Sequence, residues 1–170
     1  SSQIVNSYAS GTISVDNSSN GGVGGIIGQI EAADISTETS IENCYFSGEV
    51  KNTSGEIGGL IGEIRGDKPT LTNNFWDKTI NSSLVGIGLD ATSDGVTGKT
   101  TAEMKNIATF TSTATDGLTN PWDFVTNPND DTAKNDYWAM DDTTNNGYPF
   151  IAPAVSNSEV TDITPSTATG

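Results

Sequence analysis

Apolar and polar positions alternate in short runs along the first half of the chain, and the alternation is written more than once. Ile4-Val5-Asn6-Ser7-Tyr8-Ala9-Ser10-Gly11 returns as Ile41-Glu42-Asn43-Cys44-Tyr45-Phe46-Ser47-Gly48, and Leu71-Thr72-Asn73-Asn74-Phe75-Trp76-Asp77 opens the phrase a third time. The first two phrases close with Gly24-Gly25-Ile26-Ile27-Gly28 and Gly58-Gly59-Leu60-Ile61-Gly62, whereas no Gly-Gly closing follows the third. Closings about 34 residues apart fall among the periods of solenoids, propellers and arrays. Alternation with a period of two predicts extended strands, with Ile4/Asn6/Tyr8, Ile41/Asn43/Tyr45 and Leu71/Asn73/Phe75 each on one face. Spacers rich in Gly, Ser, Asn and Thr suit tight bends and offer little to a helix.

An extended unit of this length cannot bury its apolar face alone, so the copies are expected to stack strand over strand. Stacking would put Asn6, Asn43 and Asn73 at equivalent positions, where their amides either form a hydrogen-bonded ladder or end strands in bends. The Gly-Gly-aliphatic closings suit a corner between sheets or a strand packed tightly on its neighbour. Thr12-Ile13-Ser14-Val15 reads as a further alternating strand, Asn20-Gly21-Gly22 as a turn, and Ile35 as an inward anchor within a spacer.

These phrases resemble the GLUG repeat of large bacterial surface proteins, which also occurs in non-catalytic regions of IgA-specific metallopeptidases. Gly25-Ile26-Ile27-Gly28 and Gly59-Leu60-Ile61-Gly62, each preceded by Asn-x-Tyr-x-x-Gly, carry the likeness. It continues through Phe75-Trp76-Asp77, Thr100-Thr101-Ala102-Glu103-Met104-Lys105, Trp122-Asp123-Phe124 and Asn146-Gly147-Tyr148-Pro149-Phe150, a succession that commonly ends such arrays. The resemblance spans roughly residues 1–151 and implies a β-solenoid segment of a cell-surface protein, with no catalytic residues carried over.

After Ser83 the grammar changes. Leu84 to Leu89 predicts one more buried strand. Thr100-Thr101-Ala102-Glu103 then makes a capping box before Met104, Ile107 and Ala108 at helical spacing, which predicts one short helix. From Gly117 to Ile151 the chain is dense in aromatics and broken by Pro121, Pro128 and Pro149, as expected of an irregular cap over an open solenoid end. The expected architecture is therefore all-β: a β-solenoid, β-helix-like, with repeats at about 1–30, 38–64 and 70–90 and an aromatic-rich cap over 91–151. Residues 152–170, with Pro153, Pro165 and many Ser and Thr, read as a linker or tail.

Charge narrows the partners. Asp+Glu 22 against Lys+Arg 7 gives a net −15, which argues against nucleic acid or an anionic membrane, since phosphate contacts need a basic patch. Cys44 is the one cysteine, so no internal disulfide forms, and beside Tyr45 and Phe46 it reads as an inert core residue. No stretch is long and apolar enough for a membrane span. With no leader ahead of the first repeat, the expectation is a piece of a longer exported protein, placed outside the cell and flanked by that protein's other domains.

Histidine is absent, which removes Ser-His-Asp and Cys-His catalysis and nearly all zinc chemistry. Ser93-Asp94-Gly95-Val96-Thr97-Gly98-Lys99-Thr100 imitates a phosphate-binding loop, but Ser93 replaces its first glycine and Asp94 would set negative charge beside the phosphate. Asp130, Asp131, Asp136, Asp141 and Asp142 are the candidate ligands for a hard cation such as calcium, although Pro153 stands where an EF-hand loop would need its closing Glu. Asn17, Asn52 and Asn81 fit the glycosylation acceptor pattern by coincidence.

The sequence thus predicts a non-enzymatic module, an adhesin stalk or an adhesive surface toward a glycan or protein. The alternative is a carbohydrate- or peptide-binding module that contacts its ligand through Trp122, Trp138 and Tyr148. A carbohydrate-active β-helix with paired carboxylates is the enzymatic alternative, though no pair is singled out by spacing.

Overall fold

The computed structural model describes residues 2–15, 21–32, 39–52, 55–89, 94–125 and 136–153. Ile35, Asn17, Asp130 and Asp131 lie outside the described residues, as does the tail beyond Pro153. What is described is mostly strands up to Lys99, followed by two single α-helical turns, one 3-10 turn at Thr144–Gly147 and two short strands, an all-β arrangement.

Successive copies of the repeat lie side by side, parallel and in register. Ser2–Val5, Thr39–Glu42 and Thr70–Thr72 make the first sheet, pairing Ile4 with Ile41 and Ile41 with Leu71. Tyr8–Ala9, Tyr45–Phe46 and Asn74–Asp77 make the second, joined by Val96–Lys99 as a fourth strand. Thr12–Val15 and Glu49–Asn52 form the third. Val23–Gly24 and Ile27–Ala32 pair with Ile57–Gly66, which pairs in turn with Val85–Leu89 in the fourth. The first two copies visit the four sheets in the same order.

The register explains why three asparagines recur. Asn6, Asn43 and Asn73 have φ of 46°, 53° and 56°, in the left-handed region that Asn tolerates better than other residues with a Cβ. Each therefore turns the chain between the first and second sheets. This corrects the expectation that Ile, Asn and Tyr share one face. Ile41 lies in one core with Cys44, Phe46, Leu60, Ile61, Trp76 and Ile87, while Tyr45 and Phe75 lie in another. The bend and the ladder are both real: Asn43 Nδ2 donates to Asn6 Oδ1 at 3.3 Å, and Asn73 Nδ2 to Asn43 Oδ1 at 3.2 Å.

The Gly-Gly closings answer to the inner core. A Cβ on Gly25 would stand 2.2 Å from the Phe46 ring, and one on Gly59 would stand 2.3 Å from the Trp76 indole. Each glycine thus makes room for the inward aromatic of the following copy, a close approach that no larger residue permits.

Two further departures concern the later copies. The third closing exists in worn form: Gly86-Ile87-Gly88 lies within Val85–Leu89, and Ile87 aligns with Ile61 as Ile27 does. The segment expected to begin the cap instead contributes Val96–Lys99 to the second sheet. The third sheet has no third strand among the described residues. There the buried Asn81 side chain substitutes for backbone, accepting from Val50 N at 2.9 Å and donating to Gly48 O at 2.8 Å. An amide so placed is not open to glycosylation.

The predicted helix starts where expected. Thr100 accepts from Glu103 N and the Glu103 carboxylate accepts from Thr100 N, a complete capping box. The helix stops after one turn, Thr101–Met104, and a second turn follows at Ala108–Thr111.

Candidate functional site

The most heavily built region is the outer face of the second sheet. Tyr8, Tyr45 and Phe75 occupy equivalent positions and point away from the inner core, so they form an aromatic row across three copies. Tyr8 and Tyr45 stack with centroids 5.2 Å apart and planes 5° from parallel. An exposed row of this kind would be a large apolar patch, and the chain covers it with its own C-terminal half.

The cover runs along the row. Trp138 packs on Tyr8 and Tyr45, Trp122 on Tyr45 and Phe75, and Phe110 on Tyr45 and Phe75. Trp122 is itself clasped between Phe110 and Trp138, each 4.6 Å away by ring centroids. Trp138–Ala139 pairs antiparallel with Phe150–Ile151, and Phe124 bridges to Trp138. The expected cap thus lies along the side of the sheet, where aromatic offset and edge contacts add to area burial.

Trp122 and Trp138 are fully buried and Tyr148 nearly so. The structure brings these three candidate ligand contacts together in one cluster: Trp122 and Trp138 lie against other rings, and Tyr148 stacks on Tyr45 with the Lys105 ammonium 4.9 Å from its ring centre. The two fully buried indoles leave no face for a sugar to stack on.

Hydrogen bonds fasten the cover at several points. Trp138 Nε1 donates to Asn6 Oδ1 at 3.3 Å, and Thr119 N donates to Asn73 Oδ1 at 2.7 Å, so the cover meets both terminal asparagines of the ladder. The Tyr45 hydroxyl donates to Pro149 O, and Asn145 Nδ2 donates to both the hydroxyl and that carbonyl at 2.8 Å. Asp77 is the residue that sequence reading missed. Buried at the end of Asn74–Asp77, it accepts from Thr79 N at 2.8 Å and Ile80 N at 3.3 Å through one oxygen, and from Thr101 Oγ1 at 2.6 Å and Tyr148 Oη at 2.8 Å through the other. Its sequence signal was the Asp-x-Thr of an Asx turn just after an aromatic pair.

Electrostatics follow from these placements. Burial pushes the Cys44 thiol up to about 11, which keeps it protonated and unreactive. Burial first, and then the bond to Asp77, push Tyr148 up to about 12. Burial likewise raises Tyr45.

The other candidates are scattered. Asp141 accepts from Thr143 N, Thr143 Oγ1 and Thr144 N, and these bonds, the one from Thr144 N foremost, hold its carboxyl well below the usual range. Asp141 and Asp142 border an open groove of about 520 Å³ lined also by Lys105, Asn106, Ile107 and Met140. Asp136 stands just before the Trp138 strand, and among the described residues no three acidic or cysteine side chains gather closely enough to hold a metal ion. Lys99 of the phosphate-loop imitation is buried with its ammonium 5.8 Å from the Phe75 ring centre. Glu63, also buried, pairs with Arg65 Nε at 2.7 Å.

Comparison with known proteins gives a match to the GLUG motif over residues 19–51. That window begins before the first Gly-Gly closing and ends after the second opening, so the motif straddles two of the copies described above. Over 116 residues, 64% of this chain, the sequence is 33% identical to a protein of Evansella cellulosilytica whose name describes a Gly-rich membrane protein. The match spans 11% of that protein's length. No solved structure matches the chain. Among the described residues no helix is long and apolar enough to cross a membrane.

Proposed function

Taking as premise that the chain carries a GLUG-repeat region, we propose that it is a β-solenoid module, without catalytic activity, of an exported bacterial surface protein, serving as stalk or adhesive surface. The observation that carries this reading is the in-register parallel pairing of successive copies through four sheets. A chain that climbs by one rung per repeat is an extended, one-dimensional object, suited to spacing other domains away from a surface. Absence of histidine and the engagement of buried Asp77 by four donors support a structural rather than a chemical purpose for the polar interior. Location at the cell surface is supported by the relative's membrane-protein name and by the occurrence of this repeat in surface proteins.

Glycan-array binding and adhesion of the folded fragment to cells test the choice between stalk and adhesive surface. Binding that survives salt and is lost when the surface is blocked would make the module adhesive. Folded protein that binds neither glycans nor cells would leave the stalk.

A further inference from the structure

One buried carboxylate of the fourth sheet is only half partnered. Glu63, in Ile57–Gly66, is 3% exposed. Its Oε1 accepts from Arg65 Nε at 2.7 Å, while its Oε2 is buried with no hydrogen-bond partner. An ionised oxygen is costly to bury unless a donor or a cation meets it. Arg65 answers only part of the charge. Its side chain is half exposed, and it stands in register with Glu31 of the preceding copy, so one guanidinium serves two carboxylates. Both raise the Arg65 pKa, the bonded Glu63 first. One negative charge is left in excess, and among the described residues no cation other than Arg65 pairs with Glu63.

Oxygen atoms gather where that charge is buried. Gln29 pairs in register with Glu63, so the two side chains leave the sheet on one face, one strand spacing of about 4.8 Å apart. Gly22 lies at the root of Glu63. A Cβ on Gly22 would stand 2.7 Å from Glu63 Cβ and 2.3 Å from Gly28 O, and a Cβ on Gly28 would stand 2.9 Å from Gly22 O. The two glycines thus bring backbone carbonyls into a cradle that any side chain would fill. In the third copy Leu89 takes the register position of Glu63, so the arrangement occurs between the first and second copies and is not repeated at the next step.

Carboxylate, carboxamide and carbonyl oxygens are the donor set of a hard cation. Its charge is set by the surroundings. A divalent ion calls for several carboxylates, whereas Glu63 offers one, with a guanidinium on its other oxygen. We propose that Glu63 Oε2, Gln29 Oε1 and the Gly22 carbonyl form a site for one alkali cation, sodium or potassium, held between the first and second copies. The ion balances the charge that Arg65 leaves and joins Ile27–Ala32 to Ile57–Gly66 through their side chains, so the join between these copies tightens as the ion's concentration rises. The site serves stalk and adhesive surface alike.

Thermal unfolding in sodium, potassium and tetramethylammonium chloride at equal ionic strength tests this, since the large organic ion screens the net charge of −15 but is too big for such a cradle. The melting temperature should be higher by at least about 3 °C in sodium or potassium, saturating with concentration. Glu63→Gln, which keeps an acceptor for Arg65, should remove that difference, while Asp142→Asn, on the open groove, should keep it. Where Glu63→Gln does not fold, Gln29→Leu serves instead and should raise the ion concentration at half effect by at least about threefold. Equal melting temperatures in the three salts overturn the proposal and leave Oε2 to water. An alkali-ion effect that survives Glu63→Gln, or is unchanged in Gln29→Leu, overturns it too. Stabilisation by micromolar calcium that Glu63→Gln abolishes would assign the site to a divalent ion and likewise overturn it.

Discussion

Neighbouring residues of the same short strands face two cores that are built by different means. Inward, Phe46 and Trp76 meet the glycines of the preceding closing and aliphatics contributed by every copy, so the repeats make this core out of themselves. Outward, Tyr45 and Phe75 meet Phe110, Trp122, Trp138 and Tyr148, none of which recurs in any pattern. Periodicity can encode the first core because each copy supplies the same part. It cannot encode the second, which needs one specific segment laid across three copies. The comparison teaches that the irregular half is a second wall of the fold and as much a condition of it as the repeats.

Ile61→Asp should break the inner core outright. Ile61 is fully buried and central in the fourth sheet, and a carboxylate there without a partner costs several kcal/mol against a total stability of about 5–15 kcal/mol. The sheet signal in circular dichroism should collapse.

Trp76→Ala and Trp122→Ala sharpen the comparison by removing one indole from each core. Both should lower stability by about 3–5 kcal/mol, read from denaturant midpoints. A loss confined to Trp76→Ala would reduce the cover to an accessory.

Asn73 ties the ladder to the cover, so Asn73→Ala probes the joint between the two. It removes the bond to Asn43 and the acceptor for Thr119 N and puts alanine at φ 56°. The expected cost is about 2–3 kcal/mol, and Asn73→Gly should recover about 1 kcal/mol of it by relieving the backbone alone.

Alkali should act on both cores more gently. The folded protein favours the neutral forms of Cys44 and Tyr148, whose values rise from 9.0 to about 11 and from 10.0 to about 12. Their contribution is therefore complete below about pH 9 and is lost as pH rises toward 12, by a few kcal/mol in all at about 1.4 kcal/mol per unit of difference. Tyr148→Phe should flatten the upper part of that fall, and Cys44→Ala the lower. The smallest effect belongs to Glu103, whose carboxyl is held below its ordinary 4.5 chiefly by Thr100 N. That stabilisation is present above pH 4.5 and lost as pH falls. Glu103→Ala should cost a few tenths of a kcal/mol at pH 7 and nothing in strong acid, since the site is exposed.

How much of this was legible follows the same division. The Ile-x-Asn-x-aromatic phrase disclosed the parallel copies because equivalent residues pair with equivalent residues. The facing of Tyr8 and Tyr45 was misread because alternation presumes a straight strand, and Asn6 and Asn43 bend it. Gly86-Ile87-Gly88 was readable as a closing only once Ile87 is seen beside Ile61. The aromatic density around Trp122, Trp138 and Tyr148 disclosed a cap, and the same rings also read as ligand contacts. Nothing local in the sequence says that they lie on Tyr8, Tyr45 and Phe75 along the side of the stack, because that pairing joins residues about a hundred positions apart.

The central claim, that Trp122, Trp138 and Tyr148 are packed into a second core against Tyr45 and Phe75, is tested most directly by acrylamide quenching of the tryptophans. Trp76, Trp122 and Trp138 are all buried, so emission should be blue-shifted and nearly unquenched in the folded chain and become quenchable only through the unfolding transition. Emission from folded protein that is red-shifted and quenched as readily as free indole would contradict the account.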